Sequence, residues 1–337
     1  MDIDTLSAGE ARRLRLRAQQ LDVGGRAETV RDTVRGLCAI QAQEWPSAVL
    51  AVRPRSGDVP TADVAQAQRE DRSIVQAWSL RGTLHLTTAK DLSWLLPLLG
   101  PVFIRKNARR YKQLGLTESV REQAVEAIRD ILSQHDGPMP RADLFEQMAA
   151  RGIPTEGQAA YHLVRHAALL GVVCFGPEGD GWQTFVLLED WAGTTLAPLP
   201  DDDAQAELAR RYLLGYGPVS PHDFASWSGL GVLSARAAFK SLADELHEVE
   251  MDGSPLWMHQ SLADAPIDGP AGVCLLPAYD PYLLGYQNRD LIVADEHAKR
   301  IHPGGGFIRP TLLVDGVVAG TWEHQQKGGA AVGKDWA

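Results

Sequence analysis

Residues 155–188 read TEGQAAYHLVRHAALLGVVCFGPEGDGWQTFVLL, and their pattern decides the fold. From Thr155 to Leu170 apolar residues recur at helical spacing, with Tyr161, Arg165 and His166 set among them. From Val172 the pattern becomes two β-prone runs around the polar turn PEGDG, which predicts a hairpin. Two helices are expected just upstream. Ser119 to His135 is broken by Gly137 and Pro138, and Arg141 to Ala150 is broken by Gly152 and Pro154. Helix, helix, helix, hairpin is the order of a winged helix, a helix-turn-helix variant whose third helix commonly enters a groove.

The same order recurs at a period of about 80 residues, as expected of tandem modules. Downstream it predicts helices near Gln205–Leu214, Pro221–Ser228 and Leu233–Ala243, then a hairpin from Leu246 to His259 turning at Asp252 and Gly253. Upstream it predicts helices near Ala8–Gln20, Glu28–Gln41 and Ala62–Glu70, then SIVQAWSLRGTLHLTT as a hairpin about Arg81 and Gly82. After Ala271 strands are expected in VCLLPAYDPYLL, RDLIV and FIRPTLLVDGVVAGTW, the last turning at Asp315 and Gly316. The expected class is α+β: three tandem winged helices (1–118, 119–200 and 201–270) and a β-rich C-terminal domain (271–337).

Composition narrows the functional classes. No apolar run reaches the 18 or so residues of a membrane span, and the first residues lack the apolar stretch of a signal peptide, so a cytoplasmic protein is expected. Cys38, Cys174 and Cys274 are far apart and lie outside any zinc-ligand spacing, which argues against a disulfide framework or a structural metal. The formal net charge of -10 disfavours indiscriminate coating of nucleic acid. The cations nevertheless cluster, with Arg12, Arg13, Arg15 and Arg17 in one early helix and Arg105, Lys106, Arg109, Arg110 and Lys112 in another short span. Such clusters can give DNA one basic face; a solvated charged face is the plainer reading.

Chemistry is sought in Ala39 to Arg55, AIQAQEWPSAVLAVRPR. Gln41 and Gln43 would face apart on a helix, but Pro46 favours an extended Trp45 and a helix ending before it. In an extended segment residues i and i+2 share a face, so both amides point into one small volume with Ala42 turned away. Two glutamines at a surface helix end are the plainer alternative. In WSLRGTLHL, Trp78 suits a core and Thr83 a strand, whereas Arg81 and His85 are polar groups among apolar ones. Asp280 before Pro281 suits a turn cap, or else a partner for Arg289. Glu44 is expected to point away from the amides. His162 and His166 lack the glutamate of an HExxH site, and Gly304 to Gly306 match no phosphate loop.

Four stretches together carry a resemblance: IQAQ at 40–43, WSLRGTLHL at 78–86, LLPAYDPYLLGYQNRD at 275–290 and the closing GGGFIRPTLLVDGVVAGTW. In that order, over nearly the whole chain, the sequence resembles the AlkZ-type, azinomycin-resistance DNA glycosylases that unhook interstrand crosslinks. The resemblance implies three winged helices and a β-barrel about a DNA channel, with Gln41 and Gln43 as the catalytic pair. Trp45, Trp78, Arg81, Thr83, His85, Arg105, Arg109, Arg110, Asp280 and Arg289 are the candidates for DNA contact or site support. It further implies a cytoplasmic, nucleoid-associated bacterial monomer acting on double-stranded DNA, with no metal, cofactor or membrane. The family continues past Trp322 with a further strand and helix, whereas this chain runs EHQQKGGAAVGKDWA, so an altered barrel closure is expected. A winged-helix transcription regulator and a protein that sequesters lesions or drug are the rival readings.

Overall fold

The structure is a computed structural model describing residues 4–57, 59–177, 183–265, 272–324 and 331–335. It divides into two compact units, residues 1–64 with 205–337, and residues 65–204.

The second unit holds the deciding stretch. Helices Glu118–Ser133, Arg141–Ala150 and Ala159–Leu169 precede strands Val173–Phe175 and Thr184–Leu187, the expected winged-helix order. Thr117 opens the first helix by accepting from the Val120 amide, a standard N-cap. The expected polar tip at 178–182 lies outside the described residues. The upstream hairpin, Ile74–Trp78 with Leu84–Thr88, joins the same sheet through Gln76 opposite Phe175. Val75, Ala77, Cys174 and Val186 on these strands pack with Leu92 and Leu96 of helix Ala89–Lys106. That helix tolerates Pro97 and Pro101 in its interior. A Cβ at Gly100 would stand 2.1 Å from the Leu169 carbonyl oxygen, so only glycine permits this crossing with helix Ala159–Leu169.

In the first unit, helices Asp201–Tyr216, Pro221–Ser228 and Val232–Ser241 lead into the hairpin Leu246–Met251 and Ser254–His259, again as expected. Ser220 and Asp223 form a reciprocal capping box around Pro221. The hairpin packs Val249, Leu256 and Met258 on Leu14 and Ala18 of helix Ala8–Ala18. Four buried tyrosines tie the unit's segments to one another. Tyr212 donates to the Gly285 carbonyl, Tyr216 to Leu37, Tyr282 to Gly316 and Tyr286 to Tyr216. Each hydroxyl thereby keeps a partner that burial would otherwise remove.

Several expectations are corrected here. The helix expected to reach Gln41 spans only Val30–Gly36. Cys38 takes a left-handed φ of 63°, which the helix cannot propagate, and Ile40–Gln41 is strand. Pro46 does not end a helix; it sits in the first turn of Trp45–Val52, where its missing N–H costs nothing. PYLL is the short helix Pro281–Leu284, and RDLIV is turn and coil rather than strand. The C-terminal strands 273–276, 311–314, 317–324 and 331–335 form an open antiparallel sheet in that order. Four strands are too few to close around a filled interior, so the β-rich form is present and the barrel is not seen among the described residues. The turn at Asp315 and Gly316 is as expected, with φ of 49° and 80°.

Arg55 and Asp280 are both fully buried and form a two-pronged ion pair at 2.9 and 2.6 Å. Arg55 also donates to the Ala51 carbonyl and Gln19 Oε1, while Asp280 accepts from the Tyr282 amide. Removing one partner of such a pair costs about 3–5 kcal/mol, because the other charge is left buried. Arg55→Met should therefore lower the urea unfolding free energy by about that amount, and Arg55→Met/Asp280→Asn should recover most of it. A loss below about 1 kcal/mol in the single variant would show that the pair anchors nothing.

Candidate functional site

In the first unit the two glutamines lie where the extended reading puts them. Gln41 is almost wholly buried and Gln43 exposed, with the Gln41 Nε2 donating to Gln43 Oε1 at 2.8 Å. Ala42 between them is buried. The segment is fixed from both sides. Upstream, the Leu37 carbonyl accepts from the Tyr216 hydroxyl, and Gly215 lies so close to the Gly36 carbonyl that a Cβ there would approach it to 2.5 Å. Downstream, helix Trp45–Val52 runs straight into Arg55 and its ion pair. Trp45, at the first helical position, is half-buried.

Glu44 is exposed and accepts from Ser47, so it serves the start of this helix. Tyr279, which sequence reasoning did not single out, lies close enough that burial and the Glu44 charge together raise its phenol pKa. Tyr279 has a left-handed φ of 59° and meets the Phe307 ring edge-on at 5.4 Å. The IQAQE and PAYDP segments are thus brought together. Asp280 is the helix cap expected of it, but its cation is Arg55, not Arg289. Arg289 instead donates to the Leu283 carbonyl, and burial lowers its pKa. Burial opposes the charged Arg55, yet the Asp280 carboxylate holds its pKa above the ordinary arginine value.

The second unit holds the other candidates. Trp78 is buried, packed at 4.8 Å on Phe175 and edge-on to Tyr161. Arg81 and Gly82 take φ of 55° and 67° at the hairpin turn. Thr83 donates to the Leu80 carbonyl, closing that turn. His85 is buried and contacts the Thr83 carbonyl through Nδ1 at 3.0 Å. A carbonyl only accepts, so Nδ1 carries the proton and Nε2 accepts from Arg81 at 3.4 Å. Burial, then the Arg81 charge, pushes the His85 pKa down to about 3. Arg165, the cation noted among apolar helical positions but not proposed for the site, donates to the Gly82 carbonyl at 2.9 Å and fastens the same turn.

The basic clusters fare differently. Arg105, Lys106, Arg109 and Lys112 are exposed, and the half-buried Arg110 is held by Gln113 and Gln158. In helix Ala8–Ala18, by contrast, Arg15 is buried and Arg17 pairs with Asp22, so that helix offers no four-arginine face. No group of three or more potential metal ligands occurs among the described residues.

Tandem winged helices are an architecture that DNA-binding proteins commonly use. The chain belongs to the AlkZ-like DNA glycosylase family, whose model, described as DNA glycosylase AlkZ-like, matches residues 34–333. It is 29% identical over 308 residues to an interstrand DNA cross-link repair glycosylase of Streptomyces sahachiroi, covering 87% of this chain and 81% of that protein. It also superposes on the structure of Streptomyces sahachiroi DNA glycosylase AlkZ with a TM-score of 0.83 at 25% identity, over 98% of this chain and 91% of the other.

Two expectations follow. His85 binds its proton less readily folded than unfolded, where the value is 6.5. Stability is therefore full above pH 6.5 and declines progressively as the pH falls toward 3. His85→Gln should flatten that part of the stability profile in urea titrations; an unchanged profile would show that the histidine is not held neutral. Neutralising Arg105, Arg109 and Arg110 together should weaken duplex binding and lower the slope of log affinity on log salt by about one unit for each phosphate that they neutralise in the wild type. Unaltered affinity and slope would remove that face from the DNA interface.

Proposed function

We propose that this chain is a monofunctional glycosylase that hydrolyses the N-glycosidic bond of bulky N7-alkylated purines, or unhooks interstrand crosslinks, in double-stranded DNA. The observation that carries this reading is the hydrogen bond from Gln41 to Gln43. Gln41, buried and anchored, orients the exposed Gln43, whose Oε1 keeps a second lone pair for a water or for the sugar. A purine alkylated at N7 is cationic and leaves without protonation. The enzyme must then stabilise an oxocarbenium-like sugar and hold the attacking water, which preoriented amide dipoles can do. Glutamine is no general base near neutral pH, so the site is limited to activated lesions. No lysine lies in the 39–55 segment to form a Schiff base, which favours hydrolysis without a lyase step.

Trp45, Asp280 and Arg289 act in this reading as supports within the first unit, and Arg81, Thr83 and His85 are taken as candidates for DNA contact on the second. The name of the Streptomyces relative, an interstrand cross-link repair glycosylase, supports the crosslink as one substrate. We take the protein to act as a monomer, and the divisions 1–118, 119–200, 201–270 and 271–337 as its four modules.

Gln41→Ala and Gln43→Ala should each slow base release on the order of 10-fold to 1000-fold while leaving duplex binding in place. Single-turnover release of free base from duplex containing N7-methylguanine measures this, and full activity in the double variant would remove the glutamines from the chemistry. On otherwise identical duplexes N7-methylguanine should leave much faster than uracil or hypoxanthine. Comparable rates would point to a proton donor such as Glu44. Tight sequence-dependent binding with no base released by the wild type would indicate a regulator instead.

A further inference from the structure

Tyr279 is placed as neither packing nor backbone preference asks. Seven residues other than glycine take a left-handed φ among the described residues, and Tyr279, at 59°, is the one among them with an aromatic ring. The other six lie just after helices or in hairpin turns, whereas Tyr279 stands between strand Val273–Leu276 and the cap of helix Pro281–Leu284. Glycine or asparagine would hold that conformation at less cost. The ring does not offset the cost by filling the core. It is half-buried, and its hydroxyl makes no hydrogen bond among the described residues, unlike those of Tyr212, Tyr216, Tyr282 and Tyr286. Strain held at a ring with so small a packing role points to a ligand.

The surroundings of the ring say which ligand. Phe307, also half-buried, meets it edge-on at 5.4 Å, and the Tyr279 amide donates to the Ile308 carbonyl at 3.4 Å, which ties the two segments together. Phe307 follows the three glycines that match no phosphate loop. They take φ of 113°, 62° and 77°, and the Phe307 amide donates back to the Gly304 carbonyl at 3.1 Å, so the run turns the chain into the aromatic pair. Glu44, next to Gln43 in the chain, lies near enough that its charge adds to burial in raising the Tyr279 pKa, and no cation acts against it there. Its carboxylate accepts from the neutral Ser47 hydroxyl and forms no ion pair among the described residues, so it keeps its negative charge. An aromatic ring and a carboxylate both attract a positive charge, and these two do so beside the exposed Gln43 amide.

We propose that Tyr279, flanked by Phe307 and Glu44, receives the base of an N7-alkylated purine and favours it for its positive charge. The inference rests on the reading that the substrate base is cationic, and it gives part of the discrimination to these side chains rather than all of it to the leaving group. Binding of the full chain to two duplexes, followed by fluorescence anisotropy, tests it without base release. One duplex carries N7-methylguanine and the other its neutral isostere, 7-methyl-7-deazaguanine. Both sugars carry a 2′-fluorine, which destabilises an oxocarbenium ion and so keeps the base in place. The wild type should bind the cation more tightly than the isostere. Tyr279→Gly should cut that preference by about 3-fold to 30-fold, while Tyr279→Phe should keep it. Glu44→Gln should cut it by a smaller factor that shrinks as salt is added. Affinity for undamaged duplex should stay the same in both Tyr279 variants; an equal loss there would make the residue merely structural and overturn the proposal. Glycine adopts a left-handed φ freely, so Tyr279→Gly should fold. An unchanged preference in Tyr279→Gly, or in the exposed Glu44→Gln should the first not fold, would also overturn it, as would a wild type that binds both duplexes alike. If Gln41→Ala/Gln43→Ala abolishes release from ordinary N7-methylguanine while the preference ignores Tyr279, the glutamine chemistry stands and this assignment falls. A preference that depends on Tyr279 in a chain releasing no base would do the reverse.

Discussion

The pair Arg55 and Asp280 joins segments 225 residues apart, and the amide motif depends on it. Burying two full charges costs several kcal/mol each unless every remaining donor and acceptor is met. Here the Ala51 carbonyl, Gln19 and the Tyr282 amide meet most of them. The rigidity this provides is passed along the chain in both directions. Helix Trp45–Val52 leads from the glutamines directly into Arg55, so the end of the motif is held where the ion pair holds it. On the other side, Tyr279 is kept in a left-handed conformation costing roughly 1–2 kcal/mol for a residue with a Cβ. Asp280, fixed immediately beside it, supplies the restraint that sustains this strain.

The hairpin turn of the second unit is built on a different principle. His85 is not poised to move protons: desolvation and Arg81 keep it neutral, and its two nitrogens are committed to the Thr83 carbonyl and the Arg81 guanidinium. Arg165 secures the Gly82 carbonyl of the same turn. A charged network thus fixes a backbone shape, two consecutive residues at positive φ, that the strand sequence could not hold alone. Neutral groups held in orientation are also what the amide pair offers.

Much of this was legible in the sequence because its signals are local. The helix-helix-helix-hairpin order appears in residue periodicity and turn residues, and Arg141–Ala150 and Pro221–Ser228 fall on their expected boundaries. The shared face of Gln41 and Gln43 followed from the period of an extended chain. Long-range pairing was not legible. The cap at Asp280 was legible, since it precedes Pro281, but its cation was not: Arg289, nine residues on, was the only alternative the sequence offered, and nothing local marks Arg55. Pro46 was taken as a stop because proline both ends and begins helices, and only the left-handed Cys38 upstream decides between the two. Helix Ala89–Lys106 was hidden by its two internal prolines.

Charge shows why counting residues misleads in such a protein. Four arginines of one early helix suggested a basic face, yet Arg15 stacks inside on Tyr286 and Arg17 is taken up by Asp22. Arg55 and Arg165 are likewise spent on internal carboxylates and carbonyls. The formal charge of -10 therefore counts many cations that never present themselves to a ligand, and the field outside depends on the few left unpaired. Arg105 and Arg109 are exposed in one short span. An acidic protein can approach a polyanion when its unpaired cations are grouped on this scale, because within a Debye length of about 10 Å the local groups outweigh the net charge.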